Sequence, residues 1–268
     1  MKIKKNKYLI SIIIANYNNA KYLKRCLDSA INQKYKNKEI IIVDDKSSDN
    51  SAEIIKSYKE KILMIKNRKK TNIGCYDQIN SYYKGFLKSK GRFICFLDSD
   101  DFFRKDKLKK VNDLFLKKKS TKLIFDKPFI YFDRKNFYQR KLKQRNTLLT
   151  PWPRFTNQSC ISIERKYLKK IFNNIKIKKF PKVWFDFRIA LQGYIDFKKL
   201  FISNNYLTYY QQSSTQASSN FKRLSLNWWI RRKEAHNFTK YLYKKNKLQN
   251  KITLDEYLTN IVNFLLKQ

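Results

Sequence analysis

Glycine is nearly missing from this sequence, which has four among 268 residues: Gly74, Gly85, Gly91 and Gly193. Neither a GxGxxG turn nor a phosphate-cradling GxxxxGK[ST] loop can be assembled from them, which excludes both common glycine-loop routes to nucleotide binding. Histidine occurs once, as His236, which argues against His-based triads and multi-His metal sites. The four cysteines, Cys26, Cys75, Cys95 and Cys160, form no CxxC pair. A zinc ribbon and a thioredoxin-type motif are therefore unsupported, and reduced thiols in a cytosolic protein are expected. No apolar run approaches the ~18 residues that span a bilayer. Lys2–Lys7 and the apolar Tyr8–Ala15 imitate a signal peptide, but Asn16-Tyr17-Asn18-Asn19 follows with no small-x-small cleavage site. A soluble or peripheral chain is expected.

Acidic residues are scarce beside basic ones, 21 against 61, for a formal net charge of +40. Residues 1–98 hold 22 basic and 9 acidic side chains and residues 99–268 hold 39 and 12, so no separate basic module stands out. Only 13 of the basic residues are Arg, and Lys, Asn and Ile abound. A solvated lysine-rich surface shaped by codon bias and an attraction toward anionic membranes or substrates both fit. With 42% hydrophobic and 16% aromatic residues the chain can bury a core.

The apolar pattern reads as alternating strands and helices. Tyr8–Ala15, Glu39–Val43, Ile62–Ile65 and Phe93–Leu97 are strands, and Ala20–Asn32, a helix opening near Asn50 and Glu53, and Tyr76–Leu87 separate them. The economical solution is a mostly parallel sheet with right-handed crossovers. Further on, Lys105–Leu116, Tyr167–Phe172 and Val183–Tyr194 read as helices, and Leu123–Asp126, Phe129–Phe132 and Cys160–Ile163 as short strands. Phe221–Tyr243 and Leu254–Leu265 form a helical tail.

Ligands of such sheets bind beyond the carboxyl ends of the strands. Three of those ends carry polar or acidic clusters: Asn16-Tyr17-Asn18, Asp44-Asp45 and Asp98-Ser99-Asp100-Asp101. Crowded carboxylates stay ionised only with a cation or strong donors among them, and a divalent ion with oxygen ligands is the natural partner. Taken alone, the aspartate run could equally open a helix, where Asp favours the N-terminus.

Ser11-Ile-Ile-Ile-Ala-Asn-Tyr-Asn, Leu27-Asp-Ser-Ala-Ile-Asn-Gln, Ile41-Ile-Val-Asp-Asp-Lys-Ser-Ser-Asp, Asn72-Ile-Gly and Phe96-Leu-Asp-Ser-Asp-Asp occur in that order. Together they resemble family 2 glycosyltransferases of GT-A fold; residues 105–268 resemble the family less. The resemblance implies an α/β fold with a Rossmann-like, mostly parallel central sheet flanked by helices and a C-terminal helical tail. It divides the chain into a catalytic domain, 1–215, and a helical extension, 216–268. Within the catalytic domain, 1–104 would bind the nucleotide-sugar and 105–215 the acceptor. The implied reaction is inverting, non-processive sugar transfer from a nucleotide diphosphate donor, a UDP-sugar being the commonest case, to a glycan or lipid-linked acceptor. Cell-surface polysaccharide synthesis in the cytoplasm is the implied setting, with peripheral contact at the inner face of an anionic membrane held open beside it.

Carried over residue by residue, the resemblance puts Ala15, Tyr17, Asp44, Asp45 and Asn72 at the donor, with Asp45 on the base and Asp44 supporting it. Asp98 would approach the ribose or the metal, Asp100 would bind Mg²⁺ or Mn²⁺ across the two phosphates, and Asp101 would stand behind them on the donor side. The catalytic base would be Asp186, amid Trp184, Phe185 and Phe187; the alternative is an Asp paired with Arg188 or Lys182. Trp152 and Asn157-Gln158-Ser159 are candidates for acceptor contact. Lys46 replaces a common glycine and Gln211-Gln212 stand where many members have His, which puts the turn and any additional metal ligand in doubt. The absence of Gln-x-x-Arg-Trp disfavours processive synthases.

In the tail, Trp228-Trp229 beside Arg231-Arg232-Lys233 and Tyr241 and Tyr243 beside Lys244-Lys245 suit a membrane interface or, equally, a core flanked by solvated lysines. Two other functions compete. A nucleic-acid-binding protein would use the charge but leave the aspartates unexplained, and a sugar-nucleotidyltransferase would want a glycine-rich phosphate loop after the first strand.

Overall fold

The computed structural model describes residues 7–67, 69–71, 73–133, 136–140, 151–212, 221–250 and 252–266. Four strands are parallel neighbours: β1 (Ile10–Asn16), β2 (Lys38–Asp44), β3 (Leu63–Lys66) and β4 (Phe93–Asp98), in the order β3-β2-β1-β4. Three helices cross between them: α1 (Ala20–Ile31), α2 (Ser51–Lys56) and α3 (Gly74–Lys88). The isoleucines of β1 explain why both faces of the sheet are covered. Successive side chains alternate faces, so Ile12 and Ile14 pack with Leu23, Leu27 and Ile55 from α1 and α2, while Ile13 packs with Ile79 and Tyr82 from α3. Gly85 lets α3 lie against β1, because a Cβ there would clash with the Ile13 side chain.

Beyond β4 the sheet continues through β8 (Ile161–Glu164), β6 (Leu123–Asp133), β9 (Phe201–Gln211) and β5 (Phe102–Phe103), with β7 (Asn136–Gln139) paired to β6. In this half β4–β8, β8–β6 and β5–β9 are antiparallel and β6–β9 is parallel. Helices α4 (Lys107–Lys117), α5 (Arg165–Ile175) and α6 (Phe185–Phe197) flank it. The segments expected as two strands around Lys127-Pro128 are one strand. Register shifts on either side of Lys127 absorb the proline, which has no N–H to give to a ladder. β9 has no counterpart in the pattern reading, because Ser203-Asn204-Asn205 interrupt it like a turn; Asn205 N–H bonds Ser203 Oγ inside the strand (3.2 Å).

A buried ion pair ties the second half together. Lys107 Nζ lies 2.8 Å from Asp126 Oδ2 and donates to Ser159 O and Thr208 Oγ1, with both charged side chains essentially inaccessible. The tail forms α7 (Leu226–Lys245) and α8 (Leu254–Leu265), each opened by a hydroxyl cap from Ser225 and Thr253. α7 starts five residues later than expected, at the first position after its cap. Ala235, Phe238 and Leu242 of α7 share a core with Phe187, Leu191 and Ile195 of α6.

Candidate active site

Parallel pairing sets three polar strand ends side by side, with Asn16 opposite Asp44 and Ala15 opposite Asp98. Over them opens a cleft of about 650 Å³ whose wall includes Ala15, Tyr17, Asp45, Asp98, Asp100 and Asp186. Six of the nine expected site residues thus face one space. Asp44 and Asp101 do not line it, and Asn72 lies outside the described residues.

On the β2 side, Asp45 accepts from Asn67 Nδ2 (2.7 Å), and Asn67 is itself fixed by Ser81 Oγ (3.0 Å) and Lys84 Nζ (2.6 Å). Burial pushes the Asp45 carboxyl above the usual carboxylate range, against the pull of the Asn67 hydrogen bond. Asp44 is buried behind it and latches the strand ends, accepting from Asn16 Nδ2 (2.8 Å) and Ser47 Oγ (2.6 Å). The intervening Lys46 has φ +58°, so the turn keeps a glycine-like left-handed conformation although its residue is lysine. Tyr17 is half exposed, and the Lys70 ammonium sits 3.0 Å from its ring centroid.

Asp98 Oδ1 accepts from Tyr82 Oη (2.6 Å) and Gln78 Nε2 (2.9 Å), and its N–H donates to Ser159 Oγ (3.0 Å). Burial and then the neighbouring Asp100 charge push the Asp98 carboxyl up to about 7. Asp101 is fully buried and accepts from Gln211 N–H (2.9 Å) and Asn157 Nδ2 (3.4 Å), so it braces the loop from behind. Burial, Asp100 and Asp98 hold its pKa well above the ordinary value. The loop is also gripped from α1: Arg25 donates to Asp100 O (3.2 Å) and Gln211 Oε1 (2.6 Å), and its guanidinium lies against the Phe102 and Tyr131 rings. Gln211 is therefore engaged by the scaffold.

The donor set suits a hard cation. Asp98 and Asp100 both line the cleft, and the like-charge crowding that adds to burial in raising Asp98 is what a divalent ion relieves. Among the described residues no group of three or more His, Cys, Asp or Glu is placed to hold a metal. One or two carboxylates, with substrate phosphates and waters as the remaining ligands, is the usual manner of Mg²⁺.

Asp186 stands in the first turn of α6, its Oδ1 accepting Phe187 N–H (2.7 Å). Burial raises its pKa and the Arg231 charge opposes the rise. Arg188 is not its partner: that guanidinium is buried and donates to the carbonyls of Val183, Ile175, Ile177 and Phe180. The Lys182 charge acts on Glu234, whose Oε2 also accepts the Lys182 backbone N–H (2.7 Å), while the charge acting on Asp186 is that of Arg231. Arg231 was expected among surface charges; it comes from α7 into the same cleft, together with Tyr210. Trp152, expected at the acceptor, is buried: its Nε1 donates to Thr239 Oγ1 (3.0 Å) and its ring packs on Phe187 and His236. Asn157 and Gln158 do line the cleft, and Ser159 is buried beneath Asp98. No periodicity in the sequence marks Arg231, Lys70 or Tyr210, since their elements meet the cleft only through the tertiary fold.

The model of a family described as Glycosyl transferase family 2 matches residues 11–175. An uncharacterized glycosyltransferase of Mycoplasma genitalium is 38% identical over 112 residues, 41% of this chain and 37% of the relative. A cholesterol galactosyltransferase of Borreliella burgdorferi is 28% identical over 271 residues, 91% of this chain and 74% of the relative. The chain thus spans little more than a third of the first relative and about three quarters of the second. Among solved structures, S. aureus TarS 1–349 in complex with UDP superposes with TM-score 0.57 at 18% identity, covering 92% of this chain and 76% of that one. The mannosyltransferase PcManGT from Pyrobaculum calidifontis, in complex with GDP-Man and Mn²⁺, gives 0.56 at 15%, covering 96% and 69%. The α/β fold is theirs, the GT-A fold.

Proposed function

The chain belongs to glycosyl transferase family 2, and we propose that it transfers a sugar from a nucleotide diphosphate donor to an acceptor hydroxyl by inverting, single-addition displacement. The observation that carries this is the convergence of Asp45, Asp98, Asp100 and Asp186, from three parts of the chain, on one cleft. Family membership displaces the nucleic-acid-binding and nucleotidyltransferase readings.

Ala15, Tyr17 and Asp45 hold the nucleoside, with Asp44 locking the strand ends beneath it. In the transfer step the acceptor oxygen bonds to the anomeric carbon, the bond from that carbon to the β-phosphate oxygen breaks, and the acceptor proton passes to Asp186. The raised pKa of Asp186 suits a general base that must hold a proton at the moment of transfer. Asp98 and Asp100 would hold a Mg²⁺ or Mn²⁺ ion, which would supply neutralisation of the charge that develops on the leaving diphosphate. TarS was solved with UDP and PcManGT with GDP-Man and Mn²⁺, which supports a nucleotide-sugar and a divalent ion here. UDP is the donor nucleotide we favour.

Residues 1–104 serve as the donor half, 105–215 as the acceptor half, and 216–268 as an extension that lends Arg231 to the cleft. The acceptor is a glycan or a lipid-linked glycan of the cell surface, reached from the cytoplasmic side of the membrane. The name of the Borreliella relative supports an acceptor of lipid character. The test is release of nucleoside diphosphate from UDP-, GDP- and dTDP-sugars with Mn²⁺ and a lipid extract as acceptor. Release from one donor by the native chain, and none by Asp186→Asn, supports the reading; equal release by both overturns it.

A further inference from the structure

Helix α8 is built inside out. Glu256, Thr259 and Asn263, spaced at three and four residues, form its inner face and are at most 4% exposed. Asp255, Glu256 and Asn263 hold the helix to α7 by polar contacts: Asp255 Oδ1 accepts from Arg232 Nε (2.8 Å) and its Oδ2 meets His236 Nε2 (2.9 Å). Glu256 pairs with Lys240, and Asn263 Nδ2 donates to Trp229 O (3.0 Å). The outer face is the apolar one: Leu254, Tyr257, Leu258, Ile261, Phe264 and Leu265 are between 41% and 68% exposed. A surface helix ordinarily turns such a stripe toward the core, and a contiguous exposed patch of this kind marks an interaction site.

We propose that this face of α8 is the surface by which the protein docks onto an anionic lipid bilayer. Charge selects that occupant over a second copy of the chain. The net charge is +40, so two copies repel whereas an anionic leaflet attracts. The approach to α8 carries exposed Lys244, Lys245 and Lys247, followed by exposed Ile252. An apolar stripe with lysines beside it lies in the plane of a bilayer interface. Among the described residues no helix is long and apolar enough to cross a membrane, so α8 lies on the bilayer. Two of the tail aromatics named from the sequence have other work: Tyr241 packs on Phe180 and Phe238, and Trp228 meets the Arg232 guanidinium. The docking surface deepens the proposed function by bringing the cleft to a lipid-linked acceptor, and rests on that reading only there.

The test is co-sedimentation of the full chain with phosphatidylcholine vesicles, with and without phosphatidylglycerol. Three proteins are compared: native, Leu258→Ser/Ile261→Ser/Phe264→Ser, and Lys244→Glu/Lys245→Glu. All the changed side chains are exposed, and an unchanged thermal melt certifies each fold. The native chain is expected to bind phosphatidylglycerol vesicles, and each variant to bind about tenfold more weakly. Binding by the serine variant equal to the native overturns the proposal, because charge alone then suffices. Absence of native binding overturns it too, and a native dimer that the serine variant dissolves assigns the face to a second copy. Nucleotide-sugar turnover in solution, measured on the same proteins, separates failure of the docking surface from failure of the proposed reaction.

Discussion

Tyr82 donates its hydroxyl to Asp98 Oδ1 across 2.6 Å, joining the middle of α3 to the end of β4. The Tyr82 ring stacks on Phe185 and meets Phe96 edge-on, so the hydroxyl is held by an aromatic cluster that also seats the start of α6. One packed residue therefore positions Asp98 and braces the turn that presents Asp186. Tyr82→Phe keeps the packing and removes the donor. Loss of one hydrogen bond to a buried carboxylate costs about 1–2 kcal/mol, so kcat/KM for the donor sugar should fall roughly 5- to 30-fold. Steady-state kinetics and a thermal melt check this: the melt should fall by only a few degrees, and a collapse of the melt with unchanged kcat/KM would place Tyr82 in the core alone.

Asp186→Asn should lower kcat by about 10²–10⁴-fold while donor nucleotide binding is retained, as expected when a general base is removed. Split kinetics and nucleotide binding distinguish this from a folding defect.

The acidic limb of the pH profile follows from the same group. Asp186 is active as carboxylate; burial raises its pKa, so activity should be lost, as pH falls, at a higher pH than an ordinary aspartate would give. The Arg231 charge lowers that pKa, so in Arg231→Met the limb should move to still higher pH. A pH–kcat profile of both proteins decides it. An unmoved limb would show that Arg231 does not act through Asp186.

Lys107→Met should cost about 3–5 kcal/mol of folding stability, because it leaves the Asp126 carboxylate buried without its cation. Adding Asp126→Asn should recover part of the loss. Chemical denaturation of the single and double variants measures both, and additive losses would mean that the pair is not coupled.

The parallel half of the fold was legible because β1 is hydrophobic on both faces and each strand stops at a polar or acidic residue, as Val43-Asp44 and Leu97-Asp98 do. The carboxylates were legible for the same reason: strand ends name their positions, and parallel pairing makes those positions neighbours. Which aspartate of each run faces the cleft was not. Asp44 and Asp45 differ only in the turn at Lys46, whose left-handed backbone no residue type announces. β9 was hidden by Ser203-Asn204-Asn205, and with it the place of Gln211 beside Arg25 and Asp101. Arg231 sits next to Trp228-Trp229 in the chain and reads as surface charge, yet the α6–α7 packing carries it to the cleft. In α8 the pattern reads as a helix over Leu254–Leu265, as found. Periodicity does not say that its polar side is the buried one.

The most direct measurement is calorimetric titration of UDP, GDP and dTDP into the native chain with Mn²⁺, into the same chain with EDTA, and into Asp100→Ala with Mn²⁺. Saturable binding of one nucleotide, UDP first among them, that disappears with EDTA and in Asp100→Ala is the expected result. Binding that ignores the metal and the substitution, and weakens only as salt rises, would contradict it: the basic surface rather than the strand-end aspartates would then be what holds the phosphates.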